Sequence, residues 1–328
     1  MQTRKLGFTD LRFTTIGLGA WAIGGKWEWG WGEQDDNESI ATIQRAIDLG
    51  INWIDTAPAY GYGHSEEIVG KAIAGRRDQV LIATKCSLTW DEGGSEIKNV
   101  LKAESIRREV EASLRRLNID VIDLYQIHWP FPDEDIEEGW STIADLVKEG
   151  KIRYGGVSNF SVEQIKRAQA IHPVASLQPP YSMLVRNAED DLLGYCAENR
   201  IGVVVYSPMQ AGLLTGKFSM ARIASLDESD WRRRNKHFQE PEVSATFALV
   251  EKLRPIAERN GRTLAQLAIA WVLRRPEVTS AIVGARRPAQ IEETAQAGDW
   301  VLADDDIDEI EKYLDEWKHA VESNTASA

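Results

Sequence analysis

Four side chains in the first half of this 328-residue chain could between them move a proton: Asp55, Tyr60, Lys85 and His128. A phenol is a weak acid, with an ordinary pKa of roughly 10. A lysine ammonium close to it favours the phenolate and pulls that value down. An aspartate beside the lysine keeps the ammonium charged and turns a costly buried charge into a pair. The imidazole can hold a substrate oxygen or share the proton. Singly, each has a plainer explanation: a tyrosine in a Gly-rich loop packs, a lysine after a strand is solvated, and an isolated histidine is more often structural than catalytic. Together, at corresponding ends of consecutive strands, they form a candidate site.

Their placement follows from the elements around them. Asn52-Trp53-Ile54 reads as the end of a short buried strand that delivers Asp55. Pro58, Gly61 and Gly63 break regular structure around Tyr60, and Ser65 followed by Glu66 and Glu67 reads as a helix start. Lys85 ends the strand Val80–Thr84, and His128 follows the strand Val121–Ile127. Thr15–Leu18, Tyr154–Val157, Ala175–Gln178, Val203–Tyr206 and Ser280–Val283 complete a set of eight. Helical spacing separates them: Ile40, Ile43 and Ile47 stopping at Gly50; Ile68, Ala72 and Ile73; Ile106, Val110, Leu114 and Leu117; and a helix ending at Gly150. Strict alternation implies right-handed parallel crossovers, and eight units favour closure into a (β/α)8 TIM barrel of the α/β class. No strand leads into a Gly-x-Gly-x-x-Gly helix entry, which weighs against a doubly wound dinucleotide fold. An N-terminal β-hairpin, Lys5-Leu6 turning at Gly7–Asp10 into Leu11–Phe13, is expected to cover the N-terminal mouth. Residues 1–328 read as a single domain. Two excursions interrupt the repeat, Glu92 to Leu101 and Lys217 to Val243, and the polar stretch Glu322 to Ala328 reads as a frayed tail.

Composition narrows the partners. A formal charge of −13 argues against nucleic acid and anionic membrane, though local arginines can still meet a phosphate. Cys86 and Cys196 show neither metal-ligand spacing nor a disulfide framework and read as reduced, buried thiols. No apolar run is long enough to span a bilayer, so a soluble cytoplasmic protein is the default expectation. Oligomeric state is not legible.

The motifs Asp55-Thr56-Ala57-Pro58-Ala59-Tyr60-Gly61, Ala83-Thr84-Lys85, Asp123–Pro130 with His128, and Gly156-Val157-Ser158-Asn159-Phe160 resemble those of the aldo-keto reductases in order and spacing. The resemblance runs from about Arg4 to the terminal helix. Gly212–Lys217 and Gly284–Pro288 look closest to the bacterial general-stress and potassium-channel-β-like branch. It implies NADPH-dependent reduction of aldehydes and ketones to alcohols, reversibly, with Tyr60 as general acid, Lys85 and Asp55 tuning it and His128 orienting the carbonyl. By the same resemblance Ser158, Asn159 and Gln178 would bind the nicotinamide carboxamide, Tyr206 would stack on its ring, and Ala20, Trp21 and Asp55 would lie against the cofactor. Ser207, Pro208, Met209, Gln210, Ala211, Gly212, Leu213 and Lys217 would wrap the pyrophosphate. Gly284, Ala285, Arg286 and Gln290 would hold the adenosine end, with Arg232 as a clamp from the long seventh loop. Ala211 departs from an arginine that some relatives carry near the phosphates.

Two finer expectations follow. Arg286 beside Arg287, ahead of a helix starting near Pro288, favours the 2′-phosphate of NADPH over NADH. Trp21, Trp27, Trp29, Trp31 and Trp129, with Tyr60 and His128, would line a pocket for a small-molecule carbonyl substrate, a small or aromatic aldehyde. The alternative is a non-catalytic NADPH-binding subunit that reads redox state for a membrane partner; turnover separates the two.

Overall fold

Lys5 sits opposite Arg12 in an antiparallel hairpin formed by β1 (Thr3–Lys5) and β2 (Arg12–Thr14), as the Gly7–Asp10 turn dictates. The structure, a computed structural model, describes residues 1–91, 96–228 and 230–325. An alternation of strand and helix then begins with β3 (Ile16–Gly19), α1 (Asp36–Asp48), β4 (Trp53–Asp55), α2 (His64–Ala72) and β5 (Leu81–Cys86). A second hairpin, β6 (Leu88–Trp90) with β7 (Ile97–Asn99), interrupts it. It resumes through α3 (Ala103–Leu117), β8 (Ile122–Ile127), α4 (Ile136–Lys148), β9 (Ile152–Ser158), α5 (Val162–Gln169), β10 (Ser176–Gln178), α6 (Leu192–Glu198) and β11 (Gly202–Val205). After β11 come α7 (Met220–Ala224), α8 (Glu242–Arg259) and α9 (Leu264–Leu273), then β12 (Val278–Gly284), α10 (Pro288–Ala295) and α11 (Asp304–Thr325).

The parallel strands close in the order β3-β4-β5-β8-β9-β10-β11-β12, so the fold is the expected barrel. Local chemistry sets the ends of its helices. The Asp35 carboxylate accepts the Glu38 N–H at 2.8 Å to start α1, and Ser161 and Gln164 form a reciprocal cap on α5. Gly150, at φ +75°, takes the left-handed residue that lets α4 stop and the chain turn into β9.

Side chains alternate across a strand, and that parity positions the site. Along β5, Ala83 joins an inner cluster with Trp53, Leu124, Ala175, Val204 and Ile282, while Ile82 faces the helices. Asp55 and Lys85 share the parity of Trp53 and Ala83 and therefore point into the barrel. Leu6, Leu11 and Phe13 of the first hairpin complete the inner cluster, with Phe13 stacked on Trp53 at 4.5 Å. The hairpin thus seals the N-terminal mouth.

The structure refines three stretches of the sequence reading. The first excursion begins at Leu88 rather than Glu92, because β6 and β7 pair; Glu92 and the three residues after it lie outside the described residues. The second is a chain of short turns, with α7 and two tight helical turns at Trp231–Arg234 and Lys236–Phe238. The tail expected from Glu322 begins within a helix, since α11 runs to Thr325; residues 326–328 lie outside the described residues. Cys86 and Cys196 are free and buried. Among the described residues no helix is long and apolar enough to cross a membrane, and no group of side chains could hold a metal ion.

Candidate active site

At the C-terminal end of the strands a cavity of about 910 Å³ opens, walled by residues from most of the loops that follow the strands. Lys85, with no exposed surface, lies at its base. Its Nζ donates to both Asp55 carboxylate oxygens at 2.8 Å, to the Thr56 carbonyl at 3.0 Å and to Tyr60 Oη at 3.1 Å. Asp55 Oδ1 also accepts from Gln178 Nε2 at 2.9 Å. The phenol oxygen is therefore an acceptor from lysine, which leaves its own hydrogen to point elsewhere. Tyr60 is held in place by a close approach of two glycines: Gly61 has φ +66°, and a Cβ there would meet the Gly24 carbonyl oxygen at 2.0 Å.

The electrostatics of this group correct one expectation. Lys85 does not pull the Tyr60 phenol down; burial, with the Asp55 carboxylate adding to it, holds it well above the usual value. The reason is cancellation: Asp55 neutralises the lysine, and the cost of a desolvated phenolate then decides. Burial lowers Lys85 while Asp55 opposes that shift. Burial and then the nearby Lys85 charge hold His128 well below its usual range, so its imidazole is neutral. His128 sits edge-on to the Tyr60 ring at 5.8 Å, and its Nδ1 is buried without a partner. With no acceptor at Nδ1, the ring hydrogen belongs on Nε2.

The other expected residues divide by position. Trp21, Ser158, Asn159, Gln178, Tyr206, Ser207, Pro208, Met209, Gln210, Ala211, Gly212 and Gly284 line the cavity. Asn159, at φ +62°, donates to the His128 carbonyl at 3.0 Å and accepts the Tyr206 hydroxyl at 2.9 Å, which fixes the tyrosine ring. Gln210, Ala211 and Gly212 are successive residues of positive φ, a strained turn of the kind kept at functional sites. Ala20 and Ala285 are buried behind the wall, as is Leu213. Lys217 pairs with Glu293 at 3.1 Å, and Arg232 is held by Asp230 while lying over the Trp31 ring at 4.8 Å. Gln290 accepts the backbone N–H of Arg286 at 2.8 Å. Arg286 itself reaches back to the tryptophan-rich loop, donating to Gln34 Oε1 at 2.6 Å, the Trp31 carbonyl at 3.1 Å and the Glu33 carbonyl. The structure thus brings Asp55, Tyr60, Lys85 and His128 together and leaves the basic residues engaged elsewhere.

Trp27, Trp29, Trp31 and Trp129 all border the cavity, with Trp27 6.0 Å from the Tyr60 ring. Sequence reasoning missed Trp231, whose ring meets Trp21 at 5.5 Å from the far side of the mouth. It also missed Leu88, Ile97, Phe131 and Phe238 in the same wall. An aromatic beside Arg232 in a long loop was the available signal. The thread of β6–β7 gave none.

A model of the aldo/keto reductase family matches residues 15–315. The chain is 41% identical over 318 residues to the aldo-keto reductase YhdN of Bacillus subtilis, covering 96% of this chain and 94% of that one. It is 38% identical to a protein named NADH-specific methylglyoxal reductase from Escherichia coli, covering 93% and 96%. A glycerol dehydrogenase structure from Gluconobacter oxydans superposes with a TM-score of 0.87 at 38% identity, covering 95% and 94%. Reductases and a dehydrogenase are similar to this chain over nearly its whole length. The reaction class is nicotinamide-dependent interconversion of a carbonyl and an alcohol, and the chain belongs to the aldo/keto reductase family.

Proposed function

We propose that the protein reduces small apolar or aromatic aldehydes and ketones with Tyr60 as the proton donor and NADPH as the preferred cofactor. The observation that carries this reading is the 3.1 Å contact between Lys85 Nζ and Tyr60 Oη at the floor of an aromatic cavity. A bound nicotinamide supplies the hydride. The chain supplies the rest. Tyr60 is protonated at neutral pH because its phenol is held high, so it meets the carbonyl oxygen already carrying the proton it must give. As that proton leaves, the lysine N–H already aimed at Oη stabilises the phenolate left behind. Asp55 and the Thr56 carbonyl keep Lys85 aimed. Neutral His128 offers one N–H to the same carbonyl oxygen. Ser158, Asn159 and Gln178 supply amide and hydroxyl groups for the carboxamide, and the fixed Tyr206 ring supplies a flat face for the ring.

NADPH over NADH rests on Arg287. It lies next to the N-terminus of α10 with its side chain 71% exposed and a loose 3.6 Å pairing to Glu38. It can turn to a 2′-phosphate, whereas Arg286 already serves the tryptophan-rich loop. The regulatory-subunit reading is not favoured, since the proton-donating group is complete. A panel of aromatic aldehydes, ketones, sugars and steroids, assayed with NADPH and with NADH, tests the proposal. Compounds like 4-nitrobenzaldehyde should lead. A marked preference for phosphorylated or polyhydroxylated substrates would overturn the apolar assignment, and faster turnover with NADH would overturn the cofactor assignment.

A further inference from the structure

Behind the barrel wall, away from the reacting atoms, lies a carboxyl group that the proton transfer does not use. Glu109 projects from α3 toward the end of β5. Its Oε2 accepts the Ser87 backbone N–H at 2.9 Å, and its Oε1 accepts the Ser105 hydroxyl at 3.0 Å. Ser87 is buried and has φ +79°, a left-handed conformation that a non-glycine residue keeps only when its surroundings enforce it. This one residue joins two parts of the mouth. The Trp129 N–H donates to Ser87 Oγ at 3.3 Å, tying in the loop after β8. The Ser87 carbonyl accepts the Val100 N–H at 2.9 Å, closing the β6–β7 hairpin that places Leu88, Ile97 and Asn99 on the cavity wall. Two residues upstream stands Lys85, itself fixed by Asp55 and Thr56 without help from this turn.

We propose that Glu109 is a positioning residue for the substrate: by holding the Ser87 amide it fixes the left-handed turn that seats Trp129 and the β6–β7 hairpin against the cavity. The proposal rests on the carbonyl-reductase reading of the site. The groups facing this carboxyl come from three elements: Cys86 on β5, Tyr125 on β8, and Ser105, Arg108 and Arg116 on α3 itself, with Arg116 also held by Glu66 of α2 at 2.7 Å. Burial outweighs the two arginines and the hydrogen bonds and pushes Glu109 up to about 8. Below that pH the neutral acid is a modest acceptor; above it the carboxylate grips the Ser87 amide with a charge-assisted bond.

The test compares the unaltered protein with Glu109→Gln and Glu109→Ala, using 4-nitrobenzaldehyde and saturating NADPH from pH 6.5 to 9.5. Glu109→Ala should raise KM by about tenfold while kcat stays within about threefold, the loss of one hydrogen bond to a group outside the proton-transfer set. Glu109→Gln, an isosteric neutral acceptor, should match the unaltered protein near pH 7. Near pH 9, where the native group is ionised, its KM should be several-fold higher. A ratio of the two KM values that stays flat across the range, or a fall in kcat that tracks the unfolded fraction, overturns the proposal. If Glu109→Ala does not fold, the Glu109→Gln profile decides alone. Absence of turnover in the unaltered protein overturns the reductase reading and this proposal with it; turnover with a flat ratio overturns this proposal alone.

Discussion

Replacing Tyr60 with Phe removes one oxygen and keeps the ring that packs beside Trp27 and His128. Lys85 loses one acceptor at 3.1 Å and retains the two Asp55 oxygens at 2.8 Å and the Thr56 carbonyl at 3.0 Å. The ammonium stays satisfied, and the cost to folding is about 1 kcal/mol, one hydrogen bond's worth. Catalysis loses its positioned acid, worth roughly 10²–10⁴ in rate, or about 3–5 kcal/mol of barrier. Lys85→Met acts differently on stability. It strands the buried Asp55 carboxylate with Gln178 as its remaining side-chain partner, a loss of about 3–5 kcal/mol that Asp55→Asn in the same chain should relieve. On rate it should match Tyr60→Phe, because the proton is given only when lysine and tyrosine act together. The double variant should then be little slower than either single one, where independent contributions would multiply to roughly 10⁴–10⁸. Cofactor oxidation followed by absorbance gives kcat, fluorescence quenching gives the cofactor Kd, and thermal melting gives stability. Tyr60→Phe with turnover within threefold of the unaltered protein, at unchanged cofactor affinity, would refute the reasoning.

The two neighbouring arginines should separate. Arg287→Ala should weaken NADPH by about tenfold and leave NADH unchanged, the loss of one guanidinium–phosphate contact. Arg286→Ala should free the loop at Trp31–Gln34 and weaken both cofactors alike in titrations, so a selective loss of NADPH would return the 2′-phosphate to Arg286. Burial and the Lys85 charge hold His128 well below its usual range, so its imidazole stays neutral where an ordinary histidine titrates. The rate profile should carry no inflection near 6.5 that His128→Gln abolishes. Glu109 provides the linkage prediction. Its folded-state value of about 8 lies above an ordinary 4.5, so its contribution to stability is complete below pH 4.5 and is lost as pH rises through 8. Melting temperature should fall between pH 5 and 9 by the equivalent of up to about 4 kcal/mol, and Glu109→Gln should flatten the slope.

How far the sequence carried the structure depends on the range of the interaction. Strand–helix alternation is local, so the barrel and the parity that turns Asp55 and Lys85 inward could be read from residue spacing. The same holds for Trp27, Trp29 and Trp31, which border the cavity because their loop follows a strand. What could not be read was competition between distant partners. Arg286 looked free beside Pro288, yet three acceptors from Trp31 to Gln34, some 250 positions away, claim it. Lys217 is claimed in the same way by Glu293, whereas Arg232 is held by Asp230, a near neighbour in the chain. The Tyr60 shift was misread because a charge count included lysine and left out its cancellation by Asp55 and the cost of desolvation. Ser87 offered no signal, since nothing in Lys85-Cys86-Ser87-Leu88 marks a left-handed residue.

The hydrogen bond from Gln178 to Asp55 crosses the bore. β10 and β4 stand four places apart around an eight-strand ring, so the two staves it joins are diametrically opposed. Asp55, Tyr60, Lys85 and His128 all lie in the first half of the chain, but this brace comes from residue 178 and is made only when the ring has closed. A nascent chain that has emerged as far as α5 therefore carries every proton-handling side chain and still lacks the strut that sets the aspartate. Activity becomes a reporter of ring closure. Amide hydrogens of β4 and β10, at opposite sides of the barrel, should exchange together, with the same opening event that silences the enzyme.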